Sequence, residues 1–202
     1  MTILDYQVSA SSDDAEEKAA DGVCVIDNSS LGYLADLDTT GNWNGFRFLN
    51  VTIPNGVTIT AAYLSFYLPN SVLDEPDVLI YGIANAIPGT FSYAINNISG
   101  RTRTTASVNW SSTGLGSSAG WYNTSSIVSI IEELMASYSY ASGSSMSFVM
   151  TSRIGTTNRD LRVSSYDLSG DTTKAAKLHI EYSSASASVV PVVMRQYRQR
   201  IT

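Results

Sequence analysis

Cysteine, histidine and charge are all scarce in this chain of 202 residues, and each scarcity removes a class of chemistry. The single cysteine, Cys24, lies in the apolar run Val23-Cys24-Val25-Ile26. One cysteine excludes an intramolecular disulfide, so Cys24 is expected as a small buried hydrophobe, with an exposed thiol bridging two chains as the alternative. The single histidine, His179, stands between Leu178 and Ile180 in a strand-like run, which turns it to the face opposite those two. Any Ser-His-Asp triad would have to use it. Glycoside hydrolysis needs two carboxylates across one cleft, and no spacing in the chain selects such a pair. Charged residues make up 15% of the chain, with a net charge of -6. That acidic balance excludes the basic surface on which nucleic-acid binding depends. No apolar stretch approaches the length of a membrane span. Residues 1–6 carry neither a basic segment nor a hydrophobic signal core, so no export signal is expected, although a chain trimmed of its signal would look the same.

What the chain does contain is Ser, Thr, Asn, Gly and Tyr around short apolar runs, a mixture suited to pleated strands and exposed turns. Ala62, Leu64, Phe66 and Leu68 share one parity and Tyr63, Ser65 and Tyr67 the other, which predicts a strand with one apolar face. Phe46-Arg47-Phe48 alternates, and then the apolar parity shifts at Leu49, Val51 and Ile53, which predicts a bulge. Pro54-Asn55-Gly56 follows as a turn. Residues 78–83 form a continuous apolar run, expected as a strand buried on both faces, and residues 148–150, 161–163 and 178–182 complete the evident strands. One helix is predicted over 127–135. Ile127, Ile130, Ile131 and Leu134 line one face, Glu132 and Glu133 lie opposite, and Ser125 or Ser126 is placed to cap it.

Two Ser-rich stretches, 113–120 and 183–188, read as linkers. The second is followed by Val189-Val190-Pro191-Val192-Val193-Met194 and then Arg195, Tyr197, Arg198 and Arg200. This tail holds three of the 12 basic residues and no acidic one, whereas half of the 18 acidic residues fall within the first 38 positions. The expected organisation is a domain over 1–182, a Ser/Ala linker over 183–188 and an apolar-basic arm over 189–202.

Several ordered segments resemble a known module. They are Ser11-Ser12-Asp13-Asp14-Ala15-Glu16-Glu17, Phe46-Arg47-Phe48 leading into Val51-Thr52-Ile53-Pro54-Asn55-Gly56-Val57-Thr58-Ile59, and Arg101-Thr102-Arg103-Thr104-Thr105-Ala106-Ser107-Val108-Asn109-Trp110. Ser165-Tyr166-Asp167 and Leu178-His179-Ile180-Glu181-Tyr182 continue the series. Together they resemble the carbohydrate-binding-like jelly-roll module of bacterial secreted and surface proteins, over residues 8–182. The resemblance implies an all-β, jelly-roll-like antiparallel β-sandwich, here with one short helix and an extended C-terminal arm. Such modules usually sit inside long exported chains. This one is expected to stand alone, with an acidic body and a sticky arm, which is similar to the sandwiches that bacteriophage capsid-decoration, tail and fibre proteins use.

The expectation drawn from this is a non-enzymatic virion structural protein, exposed on the particle, that associates with itself and with a capsid or tail protein. The alternatives are a carbohydrate-binding module of a secreted protein and a surface filament subunit, at the cell surface or outside it. Three groups of residues are singled out. Asp13, Asp14, Glu16 and Glu17, with Asp36 and Asp38 beyond them, are hard oxygen donors of the kind that Ca2+ takes, against the alternative of a solvated acidic loop. No other cofactor is expected. Trp121 and Tyr122, in a Gly/Ser-rich context, are placed either to stack on a glycan or to plug the sandwich, and Trp43 and Trp110 face the same alternative. Val190, Val192, Val193, Arg195, Tyr197, Arg198 and Arg200 form the expected assembly arm, suited to adding a strand to a neighbour's sheet edge.

Overall fold

The computed structural model describes residues 1–28, 30–31, 41–69, 77–111, 119–152 and 161–184. Strand-forming segments dominate, and they assemble into two antiparallel sheets and one two-stranded ribbon. The smaller sheet runs β1 (Thr2–Gln7), β12 (Lys177–Ser183), β6 (Thr58–Leu68), β9 (Gly120–Asn123). The larger runs β3 (Cys24–Val25), β2 (Asp14–Glu17), β5 (Trp43–Val51), β10 (Ser144–Ser152), β7 (Asp77–Ile83), β8 (Arg103–Ser111). The ribbon pairs β4 (Ser30–Leu31) with β11 (Val163–Ser164). This is an all-β antiparallel sandwich with one helix, as the module resemblance implies.

The apolar parity of each strand decides which way it faces. Ala62, Leu64, Phe66 and Leu68 on β6, with Leu178 and Ile180 on β12, meet Phe46, Phe48, Val78, Ile80, Phe148 and Met150 from the larger sheet in one buried core. The Phe46 and Phe66 rings lie 4.8 Å apart, and Phe66 and Trp110 lie 5.8 Å apart. Trp110 is therefore a core residue. The expected bulge is present: Met146 faces Phe48 but Ser144 faces Val51, and Asn50 takes up the extra residue at φ 51°. Gly56 closes the following turn at φ 77°.

Helix α1 (Val128–Ser137) buries Ile130, Ile131 and Leu134 against β6, β7 and β8. A Cβ at Gly82 on β7 would stand 2.9 Å from Ile130 Cγ2, so the helix seats on a glycine. The capping expectation fails. Ile127 occupies the N-cap position with no side-chain cap, and it is buried. Core packing, together with the Ile127 N–H bond to the Ala62 carbonyl, positions this helix start where a serine cap was expected.

A second cluster covers the other face of the larger sheet. Ala15, Cys24, Ile83, Phe91, Ile98 and Val149 form it, with Trp43 and Tyr81 at its margin. The 84–102 segment supplies its lid. Phe91 lies directly on Gly45, where a Cβ would come within 2.4 Å of the ring. The Arg101 guanidinium sits 4.4 Å from the Phe91 ring centre and donates to the carbonyls of Gly89, Thr90 and Asn97. As expected, residues 78–83 form a strand packed on both faces. Among the described residues the larger sheet thus packs on both faces around β2, β7 and β10, whereas Thr105, Ser107 and Asn109 of β8 are exposed, and the outer face of the smaller sheet carries no second apolar cluster. The Ser/Ala linker beyond residue 184 and the arm at 189–202 lie outside the described residues, as do Asp36, Asp38 and most of the 113–120 stretch.

Candidate functional site: an aromatic and charged sheet face

Strand periodicity places every second residue of β1, β12, β6 and β9 on the free face of the smaller sheet. The register sets Asp5 opposite His179 and His179 opposite Tyr63. Two residues along, Lys177 faces Ser65, and Ser65 faces Asn123. Tyr67 then faces Trp121. Tyr63 and Tyr67 are four residues apart on one strand, so their rings are anchored about 13 Å apart.

The two ends of this row differ in charge. At one end the Tyr67 and Trp121 rings meet edge to face at 5.7 Å. Lys177 Nζ lies 4.1 Å from the Trp121 ring centre, and Lys174 Nζ lies 4.6 Å from that of Tyr67. Trp121 is 39% exposed, which is high for so large an apolar side chain. At the other end Tyr63 stacks on His179 at 4.5 Å. His179 Nδ1 lies 2.7 Å from Asp5 Oδ1, and Nε2 lies 3.2 Å from Glu181 Oε1. Partial burial works against the charged imidazole, but the bonds to Asp5 and Glu181 outweigh it and hold the His179 pKa above its ordinary value. Between the two ends, Ser65 and Asn123 hydrogen-bond to each other.

Of the two residues singled out for glycan contact, the sheet brings only Trp121 to this face. Tyr122, its neighbour on β9, opposes Phe66 and packs inward against the core. Adjacent strand residues point to opposite faces, and that separates the pair. The sequence reading missed Tyr63 and Tyr67 as members of the row. Their shared parity with Ser65, opposite an apolar face, was the available signal. Trp43 lies under the Arg103 guanidinium at 4.6 Å, in the second cluster.

The four N-terminal carboxylates are neither on a solvated loop nor gathered around a common point. Asp13 ends a short 3-10 turn (Ser11–Asp13) and pairs with Arg47 Nη1 at 2.6 Å. The other three lie on β2 and are buried. Glu16 accepts from the side-chain amides of Asn28 and Asn42, at 2.9 and 2.7 Å. Glu17 turns to the opposite face and accepts from the backbone N–H groups of Ile98 and Ser99, fastening the lid segment. Asp14 accepts from the Tyr166 N–H at 2.8 Å, and its other oxygen, Oδ1, has no hydrogen-bond partner. Burial pushes the Asp14 carboxyl up to about 8, against the lowering effect of the Tyr166 bond and with further upward pressure from Asp167 and Asp13. Among the described residues, no three His, Cys, Asp or Glu side chains converge as metal ligands.

Two further groups bear on chemistry. Cys24 is buried and free, and burial pushes its thiol up to about 11, which leaves it protonated and unreactive at neutral pH. Gly116-Ser117-Ser118-Ala119-Gly120 has the Gly-x-Ser-x-Gly spelling of a nucleophile elbow, but it runs into strand β9, whereas the elbow requires a helix after the serine. Ser117 and Ser118 lie outside the described residues. Among the described residues, no helix is long and apolar enough to cross a membrane. Set against known proteins, the chain matches no family model and no curated sequence.

Proposed function

We propose that this chain is a non-enzymatic binding module whose free sheet face takes a saccharide. One observation carries the reading: Trp121, Tyr67 and Tyr63 stand in a row on the sandwich face that, among the described residues, carries no second apolar cluster, interleaved with Lys177, Ser65, Asn123 and Glu181. Aromatic planes supply apolar contact to sugar rings, and the polar side chains between them supply the hydrogen bonds that orient hydroxyl groups. Because Lys177 and Lys174 sit over the rings, a saccharide bearing carboxylate or sulfate groups suits the Trp121 end best. His179 has a carboxylate at each ring nitrogen, an arrangement that holds a proton and leaves no ring nitrogen to activate a nucleophile. The test is a glycan array probed with the intact chain and with Trp121→Ala. Retention of acidic glycans, lost in the variant at unchanged Tm, is expected. Equal retention by both proteins, or none by either, would refute the reading.

A second reading rests on a separate observation, the composition of residues 189–202. Val190, Val192 and Val193 would expose apolar surface in water, at about 25 cal/mol for each Å². Pro191 suits an edge or an extended arm, and Arg195, Arg198 and Arg200 complement an acidic neighbour. This favours a virion structural protein, a capsid-decoration, tail or fibre component that is displayed on the particle and joined to its neighbours by the arm. Deleting residues 186–202 then leaves Tm nearly unchanged and abolishes oligomerisation or incorporation into particles. Normal assembly of the truncated chain would sink it.

A further inference from the structure

Buried polar atoms without partners are rare in folded proteins, and each one calls for a ligand, a water or a proton. At one end of this sandwich several occur together. Asp14 is fully buried and its Oδ1 has no partner. Asn44 is fully buried too, and both atoms of its amide are unpartnered. The pairing of Asp14 with Phe46 and of Glu16 with Asn44 puts Asp14 and Asn44 on the same, inward face as diagonal neighbours. The Tyr166 N–H holds Asp14 Oδ2, which brings the next residue, Asp167, alongside. Asp167 receives Ser11 Oγ at 2.7 Å on one oxygen, while its buried Oδ2 is also unpartnered. Ser164, three residues earlier, is fully buried with a free hydroxyl.

The geometry points to a buried hard-cation site, of the Ca2+ class, built from Asp14, Asp167 and Asn44 where β2 meets the 164–167 segment. Asp14 and Asp167 lie alongside each other, each with one carboxylate oxygen that has no hydrogen-bond partner, so two like charges at short range oppose each other there. A divalent cation removes that opposition and gives the orphaned oxygens of Asp14, Asp167 and Asn44 a partner. Ca2+ takes six to eight oxygens and accepts carboxamides, hydroxyls and waters beside carboxylates, so two acids with neutral donors suffice. The donors differ from the Asp13-to-Glu17 cluster that the sequence suggests. Asp13, Glu16 and Glu17 are committed to Arg47, to two asparagine amides and to the lid backbone. Asp167 is distant from Asp14 in the sequence and reaches it through the 164–167 segment.

The experiment uses the full chain stripped with a chelating resin, with CaCl2 as the probe. Calorimetric titration should show one site. Tm should rise by roughly 5–10 °C once free Ca2+ reaches about 100 times Kd, because the ion binds only the folded form. Asp167→Asn, which retains an oxygen for Ser11, should weaken binding by about tenfold or more, since affinity follows ligand charge. Asp14→Asn is the second variant, and Glu132→Gln on the exposed side of α1 is the control that keeps wild-type affinity. Absence of both heat and Tm shift with millimolar Ca2+ would overturn the site. So would wild-type affinity in both aspartate variants. If Asp14→Asn alone is too unstable to purify, the Asp167→Asn result decides.

Discussion

Replacing Gly45 with alanine tests whether the 84–102 segment is clamped onto the larger sheet by close packing. The added Cβ would stand 2.4 Å from Phe91 Cζ, 2.6 Å from Cε1 and 3.1 Å from Cε2. Carbon atoms settle at about 3.5–4.0 Å, so the ring must withdraw by about 1 Å or more. Withdrawal is resisted on several sides. The Phe91 N–H bonds the Ser12 carbonyl at 2.8 Å, Arg101 lies on the ring, and Ile98 and Val149 belong to the same cluster. Gly45 lies mid-strand on β5, and no left-handed φ favours glycine there, so the effect is steric rather than conformational. Overpacking of this kind costs about 3 kcal/mol, near the upper end of the usual range. Phe91→Ala alone should cost about 3–5 kcal/mol, since the ring is 2% exposed. In the double variant the new methyl enters the space the ring has left, so the total should stay close to that of Phe91→Ala alone. The coupling is then about 3 kcal/mol in favour of the pair. Urea denaturation followed by tryptophan fluorescence measures all four corners of the cycle by linear extrapolation. Additive effects, or a Gly45→Ala protein as stable as the parent, would show that Phe91 does not rest on Gly45 and that the lid is loosely held. Because the lid lies on the far side of the sandwich from Trp121, the proposed saccharide binding should be unchanged in all four proteins.

Three further expectations follow from named contacts. Tyr140 is buried, accepts from the Ile53 N–H and donates to the Val51 carbonyl, so Tyr140→Phe should lose about 1–3 kcal/mol in urea denaturation. His179 has a raised folded-state pKa, so its contribution is complete below the unfolded value of about 6.5 and is lost as pH rises through the folded value. Tm should therefore fall from pH 6 to pH 9 more steeply in the parent than in His179→Gln, and parallel curves would contradict the Asp5–His179–Glu181 arrangement. Glu133 accepts from the backbone N–H groups of Ala106 and Thr105 and from the Tyr138 hydroxyl, which hold its pKa below the ordinary value. Its contribution is present above the unfolded value and lost as pH falls through the folded one, so Glu133→Ala should flatten the acid limb of the Tm curve.

Patterns carried by neighbouring residues were legible in the sequence. The alternation at 62–68, the parity shift before Val51 and the apolar stripe at Ile127, Ile130, Ile131 and Leu134 each reported the local backbone and the face that it buries. What depended on distant partners was not legible. Nothing near Asp14 signals that its partner is Tyr166, 152 positions away, or that Glu17 will hold the lid at Ile98. Strand β8 was recognisable only through the module resemblance, because Thr104, Ala106 and Val108 make a weak inward face before Trp110. The aromatic row was half legible. Trp121 stood out by its context, but only the pairing of β9 with β6 separates it from Tyr122 and brings it to Tyr67.

The position of β12 has a consequence for how the molecule comes into being. It is the last described strand in chain order, yet it lies between β1 and β6, pairing Leu4 with Ile180 on one side and Leu64 with Leu178 on the other. A nascent chain that has emerged only as far as residue 176 can assemble the larger sheet and pair β6 with β9, but β1 has no partner and the core lacks Leu178 and Ile180. The proposed binding face then has its aromatic row on β6 and β9 but lacks Lys177, His179 and Glu181. Closure must wait for contacts spanning 174 positions, such as Asp5 with His179, and contacts of that range fold slowly because the intervening loop has to close first. The same register puts Thr2 beside Tyr182, so the two ends of the domain can be joined and the chain opened at another turn. In such a permuted chain, with β12 and β1 translated consecutively as a hairpin, the contact of Asp5 with His179 would become local and could form early.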